Sequence, residues 1–273
     1  MNVLSLFDGM SCGQIALERV GIKVDNYFAS EINEKAIIIT QHNYPKTKQI
    51  GNVLNVKSVE LPKIDLLFGG SPCQSFSNAG KGEGFKGESG LFWEFVRVLK
   101  ETNPKYFLLE NVKMKKEWQD IISEALGVKP ILINSSLVSA QNRERLYWTN
   151  IPNVNLPQNK GIQLQDVINN EYKFKPLTKW FFSKWGEKQK IDTLRTIFAE
   201  KSFCLTTNKS HSKNYYLSKD RSMARMLERD EVERLQTVPS GYTNCVSKTA
   251  AHHALGNGWT VDVIAHIFKN LKN

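Results

Sequence analysis

The stretch VLSLFDGMSCGQIALERV, residues 3–20, places a short apolar run, a turn with Gly9 and an amphipathic segment directly after one another. Residues 3–7 are predicted to form a strand. Residues 14–20 carry apolar side chains at i, i+3 and i+4 spacing, which predicts a helix. The same alternation continues to about residue 150, which is typical of a mostly parallel sheet with crossover helices. The sequence therefore predicts an α/β fold.

Further apolar runs and amphipathic segments extend this pattern along the chain. The additional predicted strands are residues 27–30, 65–68, 106–109, 131–134 and 146–149, and the additional predicted helices are residues 91–100, 230–236 and 260–271. Residues 151–161 are rich in proline and asparagine and indicate a linker. We expect a catalytic and cofactor-binding core over 1–150, a small basic lobe over 151–221, and C-terminal helices over 222–273 that complete the core.

The composition restricts the class of protein and of partner. The chain has 273 residues, 41% of them apolar, and a formal charge of +10, which excludes collagen-like, disordered and disulfide-framework proteins. In residues 151–221, thirteen Lys and Arg stand against six Asp and Glu. This local excess favours a polyanionic partner such as nucleic acid, although an anionic membrane surface would also be attracted.

The sequence lacks the features of a secreted, membrane-spanning or disulfide-bonded protein. The first residues lack the basic region of a signal peptide, and no apolar run is long enough to span a membrane, so a cytoplasmic protein is expected. The four cysteines lie far apart without a C-x-x-C pair. We therefore expect neither disulfides nor a bound metal.

Polar or small residues follow several predicted strands, at the edge where doubly wound sheets bind ligands. Glu31 follows residues 27–30 and is placed to accept hydrogen bonds from a ribose diol. The turn at residues 8–13 lacks the G-x-G-x-x-G of dinucleotide oxidoreductases, which disfavours that class of enzyme. Residues 80–90, GKGEGFKGESG, indicate a mobile flap.

Four further side chains are candidates for catalysis. Cys73 follows a Gly-Gly-Ser-Pro turn, and its thiol becomes a nucleophile if positive charge lies nearby, which Arg143 and Arg145 could supply. Glu110 ends an apolar run, where a carboxyl can serve as a proton donor. Each has a structural alternative: a buried thiol, surface arginines, and a helix cap or ion-pair partner.

Five short motifs follow one another along the chain: residues 69–77 (GGSPCQSFS), 110–112 (ENV), 141–145 (QNRER), 234–236 (RLQ) and 256–257 (GN). In this order they resemble the motifs of the C5-cytosine DNA methyltransferases. Residues 6–13 (LFDGMSCG), 88–95 (ESGLFWEF) and 256–268 (GNGWTVDVIAHIF) are most similar to the catalytic domain of the animal de novo enzymes. The resemblance implies a Rossmann-like, S-adenosylmethionine-dependent fold with a small target-recognition lobe. It also implies that a monomer flips a cytosine out of double-stranded DNA and methylates it, as in restriction–modification systems.

The resemblance assigns a role to each catalytic candidate. Cys73 would attack C6 of the cytosine. Glu110 would hydrogen-bond N3 and the exocyclic amine and supply a proton, and Arg145 would hold O2 and favour the thiolate. Arg143 would orient the site. Methyl transfer to C5 would leave S-adenosylhomocysteine, and loss of the C5 proton would expel Cys73; no residue is assigned as the base.

The resemblance also implies a set of cofactor contacts at the ends of strands and in turns: Phe7, Asp8, Gly9, Met10, Glu31, Ile32, Asn52, Val53, Pro72, Leu91, Asn257 and Trp259. The backbone of residues 8–10 would face the methionine carboxylate, Glu31 the ribose and Ile32 the adenine. Asn52 departs from the Asp that relatives commonly have, so it would accept from the adenine amine without a charge. For Phe7, Leu91 and Trp259, plain core packing is an equally open alternative.

Two other functions are weighed against DNA methylation. A tRNA cytosine methyltransferase of the same core usually has a Cys-Phe-Thr sequence near the recognition lobe, and this chain has none. A catalytically silent DNA-binding relative would not need Cys73, Glu110 and Arg145 together.

Overall fold

The computed structural model of the chain describes residues 1–72, 90–176, 194–207 and 215–271. Contacts divide the chain into two compact units. The first unit comprises Met1–Asn134, Glu144–Leu156 and Val263–Asn273, and the second comprises Ser135–Arg143 and Pro157–Asp262. By this division, residues 222–262 belong to the second unit and residues 263–273 to the first.

A seven-stranded sheet forms the centre of the first unit. Its strands are β1 (Asn2–Leu6), β2 (Asn26–Ser30), β3 (Lys48–Gln49), β4 (Leu66–Gly70), β5 (Tyr106–Val112), β6 (Ile131–Asn134) and β7 (Glu144–Thr149). Their order is β3-β2-β1-β4-β5-β7-β6. The pairs from β3 to β5 are parallel, whereas β7 runs antiparallel between β5 and β6. The predicted Rossmann-like α/β fold with a mostly parallel sheet is confirmed.

Helices connect these strands. They are α1 (Cys12–Arg19), α2 (Glu34–Asn43), α3 (Phe92–Thr102) and α4 (Lys116–Leu126). α2 begins after Asn33, whose side chain accepts hydrogen bonds from two backbone N–H groups of the first turn, as helix N-caps do. α3 is amphipathic, and it packs Phe92, Phe95 and Val96 into a core cluster with Leu67 of β4.

The second unit contains a small antiparallel sheet of order β8-β10-β9. Its strands are β8 (Lys175–Pro176), β9 (Tyr215–Leu217) and β10 (Met223–Met226), and its helices are α5 (Arg229–Leu235) and α6 (Lys248–Asn257). A last helix, α7 (Val261–Phe268), begins in the second unit and ends in the first. Residues 151–161 form neither helix nor strand, as predicted for a linker.

A buried ion pair ties β10 to α5. Both guanidinium nitrogens Nη1 and Nη2 of Arg225 lie 2.7 Å from the carboxylate oxygens of Glu231, which is fully buried. The same carboxylate accepts from the backbone N–H groups of Asn169 and Glu228. Every oxygen of this buried carboxylate is thus paired, which is the condition under which a buried charge is tolerated.

Among the described residues, no helix has the length and apolar character needed to cross a bilayer.

Candidate active site

The turn between β1 and α1 forms the first part of the site. Phe7, Gly9 and Ser11 all have φ near +60°, and the missing side chain makes this conformation unstrained at Gly9. The backbone N–H of Asp8 donates to the carbonyl of Ser30, at the end of β2, over 3.1 Å. The turn therefore folds back beside the carboxyl ends of two neighbouring strands, where doubly wound sheets bind ligands.

Glu31 links this turn to the residues after β2. Its Oε2 accepts from the N–H of Gly9 over 2.7 Å, and its Oε1 accepts from the N–H groups of Ile32 and Asn33. A carboxylate offers about four lone-pair directions, so Glu31 retains the capacity for a further donor. The neighbouring Ile32 is 70% exposed, which leaves an apolar surface beside the carboxylate.

A buried polar network beneath the turn was not predicted from the sequence. The carboxyl of Asp8 accepts from the hydroxyls of Tyr27, over 2.6 Å, and Ser11. The Ser11 hydroxyl in turn accepts from Thr40 and Gln14. Burial raises the pKa of Asp8 to about 6, although the hydroxyl hydrogen bonds oppose this shift. The only signal in the sequence is an acidic residue placed directly after an apolar strand.

The turn after β3 carries two of the predicted cofactor residues. It is held to β2 by a hydrogen bond from the Ser30 hydroxyl to the carbonyl of Gly51 over 2.8 Å. The side-chain oxygen of Asn52 accepts from the N–H of Leu54 over 3.0 Å and so caps the 3-10 turn Val53–Asn55. Val53 is buried. The capping bond fixes which way the Asn52 amide points.

Glu110 and Arg145, two of the candidate catalytic residues, form an ion pair in the first unit. Nε of Arg145 lies 2.9 Å from Oε1 of Glu110, and the two side chains are only 15% and 10% exposed. Glu110 pairs with Tyr147 across β5 and β7. Arg145 lies two residues from Tyr147, so its side chain projects from the same face of the sheet as that of Glu110. The structure thus brings together two candidates from separate motifs.

Cys73 lies outside the described residues, as do Gln74, Ser77 and nearly all of the predicted flap at residues 80–90. The described residues end nearby at Ser71 and Pro72. Gly70 pairs with Glu110 across β4 and β5, and the side-chain amide of Asn111 donates to the hydroxyl of Ser71 over 3.1 Å. The chain therefore leads towards Cys73 from the strand that neighbours Glu110.

Arg143 belongs to the second unit, where it is buried. Its guanidinium donates to the carbonyls of Gly256, over 3.2 Å, and Gly258, over 2.9 Å. These residues flank Asn257, which is exposed, and precede Trp259, which is buried. These hydrogen bonds hold the backbone on both sides of Asn257, and a role of Arg143 in orienting the site stays a prediction. A cofactor role for Asn257 and Trp259 stays a prediction.

Two glutamines for which the sequence predicts no role, Gln141 and Gln236, extend this arrangement. The side-chain amide of Gln236 donates to the carbonyls of Leu255 and Gly258. Its oxygen accepts from Thr260 and from Gln141. Buried hydrogen bonds thus connect three of the sequence motifs. The Gln-x-Arg-x-Arg and Arg-Leu-Gln motifs both bind the backbone at the Gly-Asn motif.

Within the described ranges, no three His, Cys, Asp or Glu side chains are grouped so that they could hold a metal ion.

The chain matches a family model and curated proteins along most of its length. The model of the C-5 cytosine-specific DNA methylase family matches residues 1–224 and 183–273. The orphan methyltransferase M.SPRI of Bacillus phage SPR is 31% identical over 266 residues, which cover 88% of this chain and 60% of that protein. The type II methyltransferase M1.ScrFI of Lactococcus lactis subsp. cremoris is 28% identical over 312 residues, 99% of this chain and 77% of that protein.

Solved structures show the same fold. The Entamoeba histolytica methyltransferase EhMeth matches with a TM-score of 0.79 at 19% identity, covering 100% of this chain and 99% of that one. The S. pombe Dnmt2 methyltransferase matches with a TM-score of 0.75 at 18% identity, covering 98% and 97%. The chain spans less than two thirds of two phage relatives, 60% of M.SPRI and 32% of M.Rho11sI. Because the family model matches the chain from end to end, the chain belongs to the C-5 cytosine-specific DNA methylase family.

Proposed function

We propose that the protein is a DNA cytosine-C5 methyltransferase that uses S-adenosylmethionine. The observation that carries this proposal is the Glu110–Arg145 pair, whose side chains are largely buried. Glu110 lies on β5, the strand next to β4, which leads to Cys73, and Arg145 lies on β7, on the other side of β5. Family membership and the names of the phage and bacterial relatives support it. A silent DNA-binding relative would have no use for a buried acid and cation in this place.

The reaction needs three actions from these side chains. The Cys73 thiolate attacks C6 of the cytosine, and the electron pair of the 5,6 double bond moves into the ring. Glu110 donates a proton to N3 as negative charge develops there, and Arg145 positions that carboxyl and neutralises charge near O2. Once C5 has accepted a methyl group, loss of the C5 proton and return of the N3 proton to Glu110 restore the 5,6 double bond and release the thiolate.

Residues of the first unit fit the proposed cofactor. The space above Gly9 is open, since an added Cβ there would meet no atom within 4 Å. Glu31 carries the carboxylate for a ribose diol, and the exposed Ile32 beside it offers an apolar surface for adenine. Bound S-adenosylmethionine supplies an electrophilic methyl group on a sulfonium. Phe7, Met10, Asn52, Val53, Pro72 and Leu91 are the other residues of this unit proposed to hold it.

Double-stranded DNA is the proposed substrate. A cytosine in a duplex is stacked and paired, so it must be flipped out before Cys73 can reach C6. The excess of Lys and Arg in residues 151–221 supports contact with phosphates, and we assign target recognition to this segment. We further propose that the protein acts as a monomer, without a metal, in the cytoplasm.

Labelled S-adenosylmethionine tests this function directly. The protein is incubated with a mixed-sequence DNA duplex or with tRNA, in parallel with Cys73→Ser. We expect label on cytosine C5 of DNA with the wild type and none with Cys73→Ser, while both bind S-adenosylhomocysteine. Label on RNA alone would establish the tRNA alternative, and DNA binding without any transfer would establish the silent relative.

A further inference from the structure

Arg97, on the side of α3, contacts a turn that is distant in the sequence. Its Nη2 donates to the carbonyl of Val53 and its Nη1 to the carbonyl of Val56, each over 3.1 Å. These two residues begin and follow the 3-10 turn Val53–Asn55. One guanidinium thus holds both ends of the turn that Asn52 caps.

Two acidic side chains on the same helix fix the guanidinium. Nε of Arg97 lies 2.8 Å from Oε2 of Glu94, and Nη1 lies 3.0 Å from Oε2 of Glu101. They stand three residues before and four residues after Arg97, the spacings at which helical side chains meet. Three nitrogens of the guanidinium are therefore engaged, in a planar fork that a lysine ammonium cannot reproduce.

The turn and the helix each carry predicted cofactor residues. Asn52 and Val53 lie at the start of the turn, and α3 begins directly after Leu91. The side chains of Val53 and Val56 are buried in the same core cluster as Phe92 and Phe95 of the helix. Apolar packing sets how close the two elements lie. The directional hydrogen bonds of Arg97 set how far one slides or rotates relative to the other.

We propose that Arg97 is a positioning residue for the adenine side of the cofactor site. It keeps Asn52 and Val53 at a fixed place relative to Leu91, although it touches neither substrate nor cofactor. The inference rests on the proposed function, because that function makes these three residues a cofactor site. It predicts that loss of the guanidinium weakens cofactor binding and leaves the chemical step intact.

The test uses the full-length chain with Arg97→Gln, Arg97→Lys and, as control, Lys100→Gln. Lys100 is exposed on the same helix, so the control removes one positive charge from α3 without touching the turn. The dissociation constant of S-adenosylhomocysteine is measured by calorimetry well below the unfolding temperature. The KM for S-adenosylmethionine and kcat on duplex DNA are measured alongside.

We expect Arg97→Gln to raise the dissociation constant and KM about tenfold, with kcat at saturation changed less than about twofold. Arg97→Lys should fall between it and the wild type, and it serves as the test variant if Arg97→Gln does not fold. Lys100→Gln should match the wild type. An unchanged dissociation constant in both Arg97 variants, or a lower kcat with unchanged binding, would overturn the inference alone. A wild type that binds no S-adenosylhomocysteine would overturn the proposed function and this inference with it.

Discussion

Asp8 carries a carboxyl that the fold partly buries and that accepts hydrogen bonds from two hydroxyls. Burial raises its pKa from 3.8 to about 6. Between pH 3.8 and pH 6, the carboxyl is ionised in the unfolded chain and protonated in the folded protein, so folding takes up a proton. Its contribution to the free energy of unfolding is therefore fully present below about pH 4 and lost as the pH rises through 6.

This linkage predicts a pH-dependent difference between the wild type and Asp8→Asn. Between pH 7 and pH 5, the free energy of unfolding should change in favour of the wild type by about 1 kcal/mol relative to the variant. Urea unfolding of both proteins at the two pH values measures this difference. Equal changes in the two proteins would show that Asp8 does not titrate in this range.

We expect the rate of methyl transfer to be highly sensitive to substitution of Glu110. Glutamine at position 110 keeps the shape of the side chain but cannot release a proton to N3. We expect Glu110→Gln to lower the rate of methyl transfer at saturating substrates by about 10²- to 10⁴-fold, with little change in binding of S-adenosylhomocysteine. A rate within a few-fold of the wild type would remove Glu110 from the chemical step.

At the scale of elements, the Arg225–Glu231 pair decides how the small sheet is attached to α5. Arg225→Met would leave the fully buried Glu231 carboxylate without its cation. We expect a loss of about 3–5 kcal/mol in the free energy of unfolding. The double variant Arg225→Met with Glu231→Gln should recover part of this loss. Urea unfolding of the two variants measures both, and a single variant as stable as the wild type would contradict the assignment.

The elements that could be predicted from the sequence are those whose pattern is local. β1, β2 and β4 to β7 are apolar runs, and α3 has a clear amphipathic period, so their positions agree with prediction to within about three residues. α2 was not specified, because its Ile-Ile-Ile-Thr run has the β-branched character of a strand. β3 and β8 have two residues each, which is too short for a pattern.

The residues of the candidate site also fall into those that a local sequence pattern indicates and those that it does not. Glu31, Glu110 and Arg145 could be selected as candidates from the sequence because they stand in motifs or directly after apolar strands, and their roles stay predictions. The Asp8 network and the Arg97 contacts could not, since the first joins residues up to 29 positions apart and the second residues up to 44 positions apart. Such contacts depend on how the elements pack, and a single sequence does not display that packing.

At the scale of the whole molecule, the charge of +10 should govern DNA binding. If residues 151–221 contact the phosphates, the affinity for duplex DNA should fall steeply with salt. For six to ten phosphate contacts, the expected loss is about 10³- to 10⁵-fold between 50 and 200 mM salt. Fluorescence anisotropy with a labelled duplex measures this slope. An affinity independent of salt would contradict phosphate contact by this segment.

In the proposed reaction, Cys73 forms a bond to C6 of a cytosine that is being methylated at C5. A duplex in which the target cytosine carries fluorine at C5 tests this most directly, because fluorine cannot leave as a proton and the release of the thiolate is blocked. With S-adenosylmethionine present, we expect a complex that is stable to denaturant, with the modified nucleotide attached to the peptide that contains Cys73. Attachment to another residue, or no stable complex from a preparation that methylates the ordinary duplex, would contradict it.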